Sequence, residues 1–298
     1  MITIIESLKN NFRIFLTKIS PELNTRVTYL MKFGRPINLK HPATLDEKIQ
    51  WMKLQSFEKD PLIKQCVDKL AVRDYVKENG CDRLLNELYY VWDSVDEIPW
   101  KELPNQFVIK WNFGCGQNLI CKDKSKLNIQ DAIAKLNKWY GIHDSFYLQH
   151  SEMQYRGIKP KLICEKLIST RDGQLPLDYK LYCFHGEAKF VMLCTERETG
   201  HAKYYFFDRE KKLVRINKRG LAAPEGFTIP MPEGYDLLFE YAERLSKPFP
   251  FVRADFYLEE GQVIFGELTF TPCGGYDVNI PRSQNEWLGS MLHLPIDK

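Results

Sequence analysis

Two acids in the last fifth of the chain, Asp255 and Glu267, have the spacing to work as a pair. They lie in residues 251–272, two alternating apolar and polar runs joined by Glu259-Glu260-Gly261. That pattern predicts a β-hairpin. Side chains two apart on a strand share a face, which groups Arg253, Asp255 and Tyr257 on the first strand and Phe265, Glu267 and Thr269 on the second. The acids meet in the right register only, because a one-residue slip sends Glu267 to the face opposite Asp255. Two carboxylates side by side among Phe, Val, Ile and Leu repel each other and lose hydration, so a cation must offset them. Arg253 supplies one in an internal salt bridge, with the second acid left in water at the strand edge. The alternative is Mg²⁺, which takes one or two carboxylates and completes its octahedron with water and phosphate.

A second group of polar residues lies earlier in the chain. Residues 107–110 read as a short strand ending in Lys110, followed by Asn112, Phe113, Gly114, Cys115, Gly116, Gln117 and Asn118 and by a strand-like run at 119–121. Strand, glycine loop and strand make a hairpin whose tip lacks bulk at Gly114 and Gly116. Such a loop can lay its backbone N–H groups against phosphate oxygens, with Lys110 adding a point charge; a plain tight turn is the alternative. It is not a P-loop, since the GK[ST] ending and the following helix are missing. Residues 160–168 read as a buried strand interrupted by Glu165 and Lys166. Glu165 there needs a donor, such as a ligand amino or hydroxyl group, unless that strand end is exposed. Asp178, Lys180 and Tyr182 share one face of a strand over residues 178–184, which opens an antiparallel meander with 188–194 and 204–207.

Helices must carry these pieces. Residues 2–19 place Ile4, Ile5, Leu8, Phe12, Phe15, Leu16 and Ile19 near helical spacing, with Lys9, Arg13 and Lys18 elsewhere on the circle. The apolar face is expected to pack on the protein itself; the alternative is a helix lying on a membrane surface. A second helix runs from Pro21 to Met31, and Thr44 and Glu47 form a capping box ahead of residues 48–54. Residues 68–79 form a helix stopped by Gly80, and 128–140 and 236–246 form two more. The first hundred residues therefore read as mostly helical. At 298 residues, 44% of them apolar, the chain suits two or three lobes sharing a cleft. A net charge of +3 with 27% charged residues does not call for nucleic acid. No apolar run is long enough to cross a bilayer, and the opening residues lack a signal-peptide cleavage pattern. The eight cysteines show neither CxxC nor zinc-ligand spacing and lie largely in apolar runs, which points to a cytoplasmic chain with reduced thiols.

Taken in order, Lys110 beside a glycine hairpin, Glu165 in a buried strand, and Asp255 and Glu267 in a second sheet resemble the ATP-grasp superfamily, in which two α+β lobes hold ATP. The stretches FGRPINLKHPATLDEKIQW, DKLAVRDYV, FVIKWNFGCGQN, DYKLYCFHGE and FVRADFYLEEGQVIFGELTFTP, spread over residues 33–272, resemble the TupA-like ATP-grasp proteins of bacterial surface polysaccharide gene clusters. The resemblance implies an α+β fold with a helical N-terminal region (1–104), a central lobe carrying the glycine-rich loop (105–168) and a C-terminal lobe carrying the metal site (169–298).

It also implies roles. Lys110 would contact the nucleotide phosphates, and Gly114, Cys115, Gly116 and Gln117 would close over them. Glu165, Lys166, Leu167 and Ile168 would form the adenine and ribose hinge, with Asp178 facing the cleft. Asp255 and Glu267 would hold Mg²⁺, joined by Thr269 where many ATP-grasp ligases have Asn. Arg253 and Lys180 would serve the transferred phosphate or the acyl group. The implied reaction is ATP-dependent carboxylate–amine ligation through an acylphosphate, joining an amino acid or amine to a sugar or uronic acid of a capsule, O-antigen or cell-wall polymer. A kinase or glycosyltransferase of the same pathway is the alternative. Expected partners are a glycan or small-molecule acceptor and an amine, not nucleic acid, with membrane contact through the first helix as a further expectation. Amide substitution of either acid is expected to abolish Mg²⁺-dependent activity and leave the fold intact.

Overall fold

The computed structural model describes residues 2–168, 176–195 and 202–297. Helices α1 (Ile2–Ile19), α2 (Pro21–Phe33), α3 (Leu45–Met52), α4 (Pro61–Val67) and α5 (Val72–Glu78) occupy the first part of the chain. Their ends obey local chemistry. Ser20 caps α2, with Pro21 in its first turn and Gly34 in the left-handed conformation at its end. Thr44 and Glu47 close the expected capping box at α3. The helix expected over 68–79 begins only at Val72, because Asp68 turns its side chain onto the N–H groups of Leu70 and Ala71. That turn separates α4 from α5 and brings Lys69 and Arg73 to the cleft.

Two antiparallel sheets form the rest of the frame. The smaller has the order β1-β4-β2-β3, from β1 (Leu88–Trp92), β2 (Phe107–Trp111), β3 (Asn118–Cys121) and β4 (Leu162–Glu165). Strand β1 is not expected in a mostly helical first hundred residues; it pairs with β4 in an irregular register. Helix α6 (Ile129–Tyr140), capped by Asn128, packs on β2 and β3 and buries Ala132 and Leu136. The larger sheet has the order β10-β9-β5-β6-β7-β8, from β5 (Asp178–Phe184), β6 (Glu187–Thr195), β7 (Lys203–Phe207), β8 (Leu213–Val214), β9 (Phe251–Glu259) and β10 (Gln262–Thr269). The short helix α7 (Lys218–Leu221) lies against β7, while α8 (Tyr235–Ser246) covers β5, β6 and β9 with Leu238, Phe239, Ala242 and Leu245. Each large apolar side chain of this set, taken out of water, contributes about 1.5–3 kcal/mol. Helix α9 (Arg282–Ser290) closes on α3, where Gly289 leaves no space for a Cβ against the Ala43 carbonyl.

The hairpin β9–β10 has the expected two strands but a different register. Its two-residue tip, Glu260 and Gly261, has positive φ at both positions, the primed turn that matches strand twist. From there the ladder runs from Gln262 opposite Glu259 to Phe265 opposite Phe256. It then skips Gly266 and resumes with Glu267 opposite Asp255 and Thr269 opposite Arg253. A β-bulge of this kind adds one residue to one strand and inverts the facing of the residues beyond it. Phe265 therefore pairs with buried Phe256 and does not share a face with Glu267 and Thr269, contrary to simple alternation. An unbroken ladder would have set Gly266, not Glu267, opposite Asp255.

Helix α1 packs on the protein, but not through the apolar face expected to do so: of that face Leu16 is buried, beside Thr17, whose hydroxyl bonds to Leu148 O and Ser151. The apolar stripe Leu8, Phe12, Phe15 and Ile19 instead stays 49–64% exposed. Among the described residues no helix is long and apolar enough to cross a membrane.

A Cβ at residue 266 would lie 2.9 Å from the Asp255 carbonyl oxygen. Gly266→Ala should therefore destabilise the protein by about 1–3 kcal/mol, the usual penalty for overpacking. Urea unfolding checks this; unchanged stability would mean the bulge has room for a side chain.

Candidate active site

On the cleft face of the larger sheet, three adjacent strands set their polar groups in rows. The first row is Lys180 of β5, Asp255 of β9 and Glu267 of β10; the second is Tyr182, Arg253 and Thr269. Arg253 clamps Asp255 with both ends of its fork, Nε to Oδ1 at 2.7 Å and Nη2 to Oδ2 at 2.6 Å. Lys180 Nζ donates to Asp255 Oδ2 at 2.8 Å and lies 3.6 Å from Asp178. Arg253 Nη2 also donates to Thr269 Oγ1 at 3.2 Å, and Thr269 passes a bond on to Glu267 Oε1 at 3.1 Å. The salt bridge expected from Arg253 thus forms, and the second acid is the more open one: the Glu267 side chain is 39% exposed against 6% for Asp255.

Burial alone would raise the Asp255 carboxyl, but Arg253 and then Lys180 outweigh it and hold the group below the usual carboxylate range. The same ion pair keeps Arg253 above its ordinary value although burial works against it. A lowered native pKa stabilises above the ordinary aspartate value near ~4, and that contribution is lost as pH falls through the native value. The Asp255 carboxylate therefore makes stability pH-dependent in acid.

The smaller sheet supplies the facing wall. Glu165, at the end of β4, takes Lys110 Nζ on one oxygen at 2.7 Å and Arg73 Nη1 on the other at 2.9 Å. Its donors are protein cations, which answers the burial cost that made a ligand donor one of the options. Between β2 and β3 the glycine loop holds Gly114 and Gly116 at φ +72° and +71°. Its base is fixed: Asn112 bonds Asp68 Oδ2 at 2.8 Å and Lys159 O at 3.0 Å, and Phe113 stacks on Phe146. Its tip is looser, with Cys115 and Gly116 exposed and Gln117 Oε1 buried without a partner. Lys69 donates to the Gly114 carbonyl, and burial pushes its amine below the ordinary lysine value.

A cavity of about 230 Å³ lies between the two sheets. Lys110, Cys115, Gly116, Glu165, Ile168, Asp178, Lys180, Asp255 and Glu267 all line it, as do Lys69, Arg73 and Asn118. Gly114, Arg253 and Thr269 line an adjoining cavity of about 540 Å³ shared with Lys69, Cys115 and Glu267. Lys166 and Leu167 open instead onto a third cavity of about 720 Å³ beside the β9–β10 turn, joined to the first through Asn86 and Ile168. Gln117 lines none of these three. Sequence reasoning misses Lys69 and Arg73; the signal is Asp68, an N-cap residue type placed to start a new turn, where the helical spacing suggests an unbroken helix.

Burial raises the thiols of Cys115 and Cys273, the latter to about 11, so neither is an activated nucleophile. Among the described residues no cluster of three or more His, Cys, Asp or Glu is grouped for a metal. Asp255, Glu267 and Thr269 present only oxygen donors, which fits a hard divalent cation that draws its remaining ligands from phosphate and water.

Two antiparallel sheets facing each other across a cleft, one presenting a lysine and a glycine loop and the other paired carboxylates, define an ATP-grasp fold. The chain belongs to the TupA-like ATPgrasp family, whose pattern matches residues 47–293. No curated protein matches the chain. Among solved structures it is similar to a D-alanine–D-alanine ligase from Bacillus anthracis complexed with ATP, at 13% identity and TM-score 0.45, over 77% of this chain and 64% of that one. It is also similar to an L-amino acid ligase from Bacillus licheniformis, at 9% identity and TM-score 0.44, over 87% of this chain and 56% of that one. The chain thus spans less than two thirds of the length of either protein.

The two acids of the hairpin should respond differently to amide substitution. Asp255→Asn strands the buried Arg253 guanidinium and takes the nearer acid from part-buried Lys180, and should cost about 3–5 kcal/mol. Glu267→Gln, at a half-exposed position, should cost about 1 kcal/mol or less. An intact fold is therefore predicted for Glu267→Gln and a destabilised one for Asp255→Asn. Urea unfolding at pH 7 checks the contrast, and equal losses would refute it.

Proposed function

We propose that the protein is an ATP-dependent carboxylate–amine ligase. The observation that carries this reading is the opposition of charge across the 230 Å³ cavity: Lys110 and Arg73 on one wall, Asp255 and Glu267 on the other, with the glycine loop along the rim. Such a site neutralises phosphate and excludes water, which is what phosphoryl transfer to a carboxylate requires. Lys110 and the N–H groups of residues 114–116 orient the triphosphate. Ile168 and Tyr257 line the apolar part of the cavity and suit the adenine ring. Asp255 and Glu267 are the groups that would hold Mg²⁺, which when bound supplies charge neutralisation at the phosphates.

Arg253, which borders the cavities on both of its sides, steers the substrate carboxylate. In the reaction, a carboxylate oxygen attacks the γ-phosphorus and ADP leaves, giving an acylphosphate. An amine then attacks the acyl carbon, inorganic phosphate leaves with the bonding pair, the amine sheds a proton, and an amide remains. Shielding of the acylphosphate from water falls to the loop over the cleft. On the family resemblance, the carboxylate belongs to an acidic sugar of a bacterial surface polysaccharide and the amine to an amino acid or related compound.

Release of ADP and phosphate from Mg·ATP, with pooled amino acids and amines set against pooled uronic acids and their nucleotide derivatives, tests the reading. Turnover that needs both pools is expected. ADP formation without any amine would make the protein a kinase, and failure of ATP either to be consumed or to raise the melting temperature would overturn the ligase assignment.

A further inference from the structure

Arg253 and Lys180 also border another cavity, on the far side from Glu152 and Glu267. It measures about 580 Å³ and is walled by β7, α7 and the 273–279 segment. Its charge is lopsided. Among the described residues, Lys180, Lys203, Lys218, Arg219 and Arg253 face it, against one acid, Asp277. The 540 Å³ cavity on the other side of Arg253 is balanced, with Lys32, Lys69 and Arg253 against Glu152, Glu267 and Asp277.

The basic wall is built on a rigid frame. Asn217 caps α7 through a bond from the Gly220 N–H at 2.8 Å, and its amide donates to the Tyr204 carbonyl at 2.9 Å, tying the helix to β7. The Lys218 N–H donates to the Asn279 carbonyl at 2.8 Å, tying it to the segment beyond β10. Lys218 and Arg219 thus project from an anchored turn, and neither forms an ion pair among the described residues. Cations left unpaired beside a concave surface raise the local concentration of anions and favour charge-assisted anion contacts. Met192 and Ala222 supply an apolar floor between the charged ends.

We propose that this cavity holds the carboxylate substrate, and that this substrate carries a second anionic group: its reacting carboxylate sits at Arg253 and Lys180, and a phosphate or second carboxylate sits at Lys218 and Arg219. The volume suits an acidic sugar phosphate. The balanced cavity across Arg253, which carries Glu152 and the aromatic Tyr155, is left for the amine. The assignment rests on the ligase reading for the word substrate, but not for binding itself.

The probe is glucuronate 1-phosphate, a sugar bearing both groups, titrated calorimetrically into the full chain, with ATP titrated separately. Lys218→Ala/Arg219→Ala should weaken the probe at least tenfold and leave ATP affinity within twofold, since neither residue lines the nucleotide cavity. Glucuronate, with one charge, should bind more weakly and be insensitive to the double substitution. Equal probe affinity in both proteins, no saturable binding to the wild type, or a parallel loss of ATP affinity would each overturn the assignment. Absence of ATP binding by the wild type, with the probe still bound and still sensitive to the substitutions, would instead remove the ligase reading and leave the anion site standing.

Discussion

The buried group formed by Arg253, Asp255 and Lys180 is the constraint the rest of the cleft depends on. Three charged side chains on two neighbouring strands leave water together, which is tolerable only because the guanidinium fork and the ammonium satisfy the carboxylate at distances of 2.6–2.8 Å. That satisfaction fixes the pairing of β5 with β9, since a slip would leave a bare charge in an apolar sheet. It also sets the character of the site. Asp255 is a counterion to Arg253 and Lys180, and Glu267 carries the more open carboxylate of the two.

The glycine loop is fixed at its base and free at its tip. Asn112 and Phe113 tie the base to Asp68 and to the aromatic cluster around Phe146, whereas Cys115 and Gly116 face solvent. Lys69 links that loop to the segment between α4 and α5, so the helical region takes part in the cleft as well as supporting it.

Much of this is legible in the sequence because alternation and caps are local. The strands of the meander, the capping box at Thr44 and helix α8 each arise from patterns within a few residues of each other. The gathering of Lys110, Glu165, Asp255 and Glu267 at one cavity is legible through the family resemblance carried by those stretches. The features that escape a sequence reading depend on distant partners. Strand β1 carries strand-forming residues at 88–92, but the run is short and lies in an otherwise helical stretch, so its partner far along the chain, β4, is what identifies it. The short break at Asp68 hides Lys69 and Arg73, and the outward stripe of α1 reverses the usual assumption that an apolar helix face turns inward.

The bulge at Gly266 bears on how this hairpin can vary. Because one unpaired residue decides whether Glu267 looks into the cleft or into the core, strand length rather than composition is the quantity β10 has to keep. Exchanges among Val263, Leu268 and their neighbours alter packing by degrees. Insertion of a single residue between the turn and Glu267 would turn the acid away outright, however faithfully every side chain was retained, whereas loss of Gly266 itself would leave a regular ladder with Glu267 still opposite Asp255.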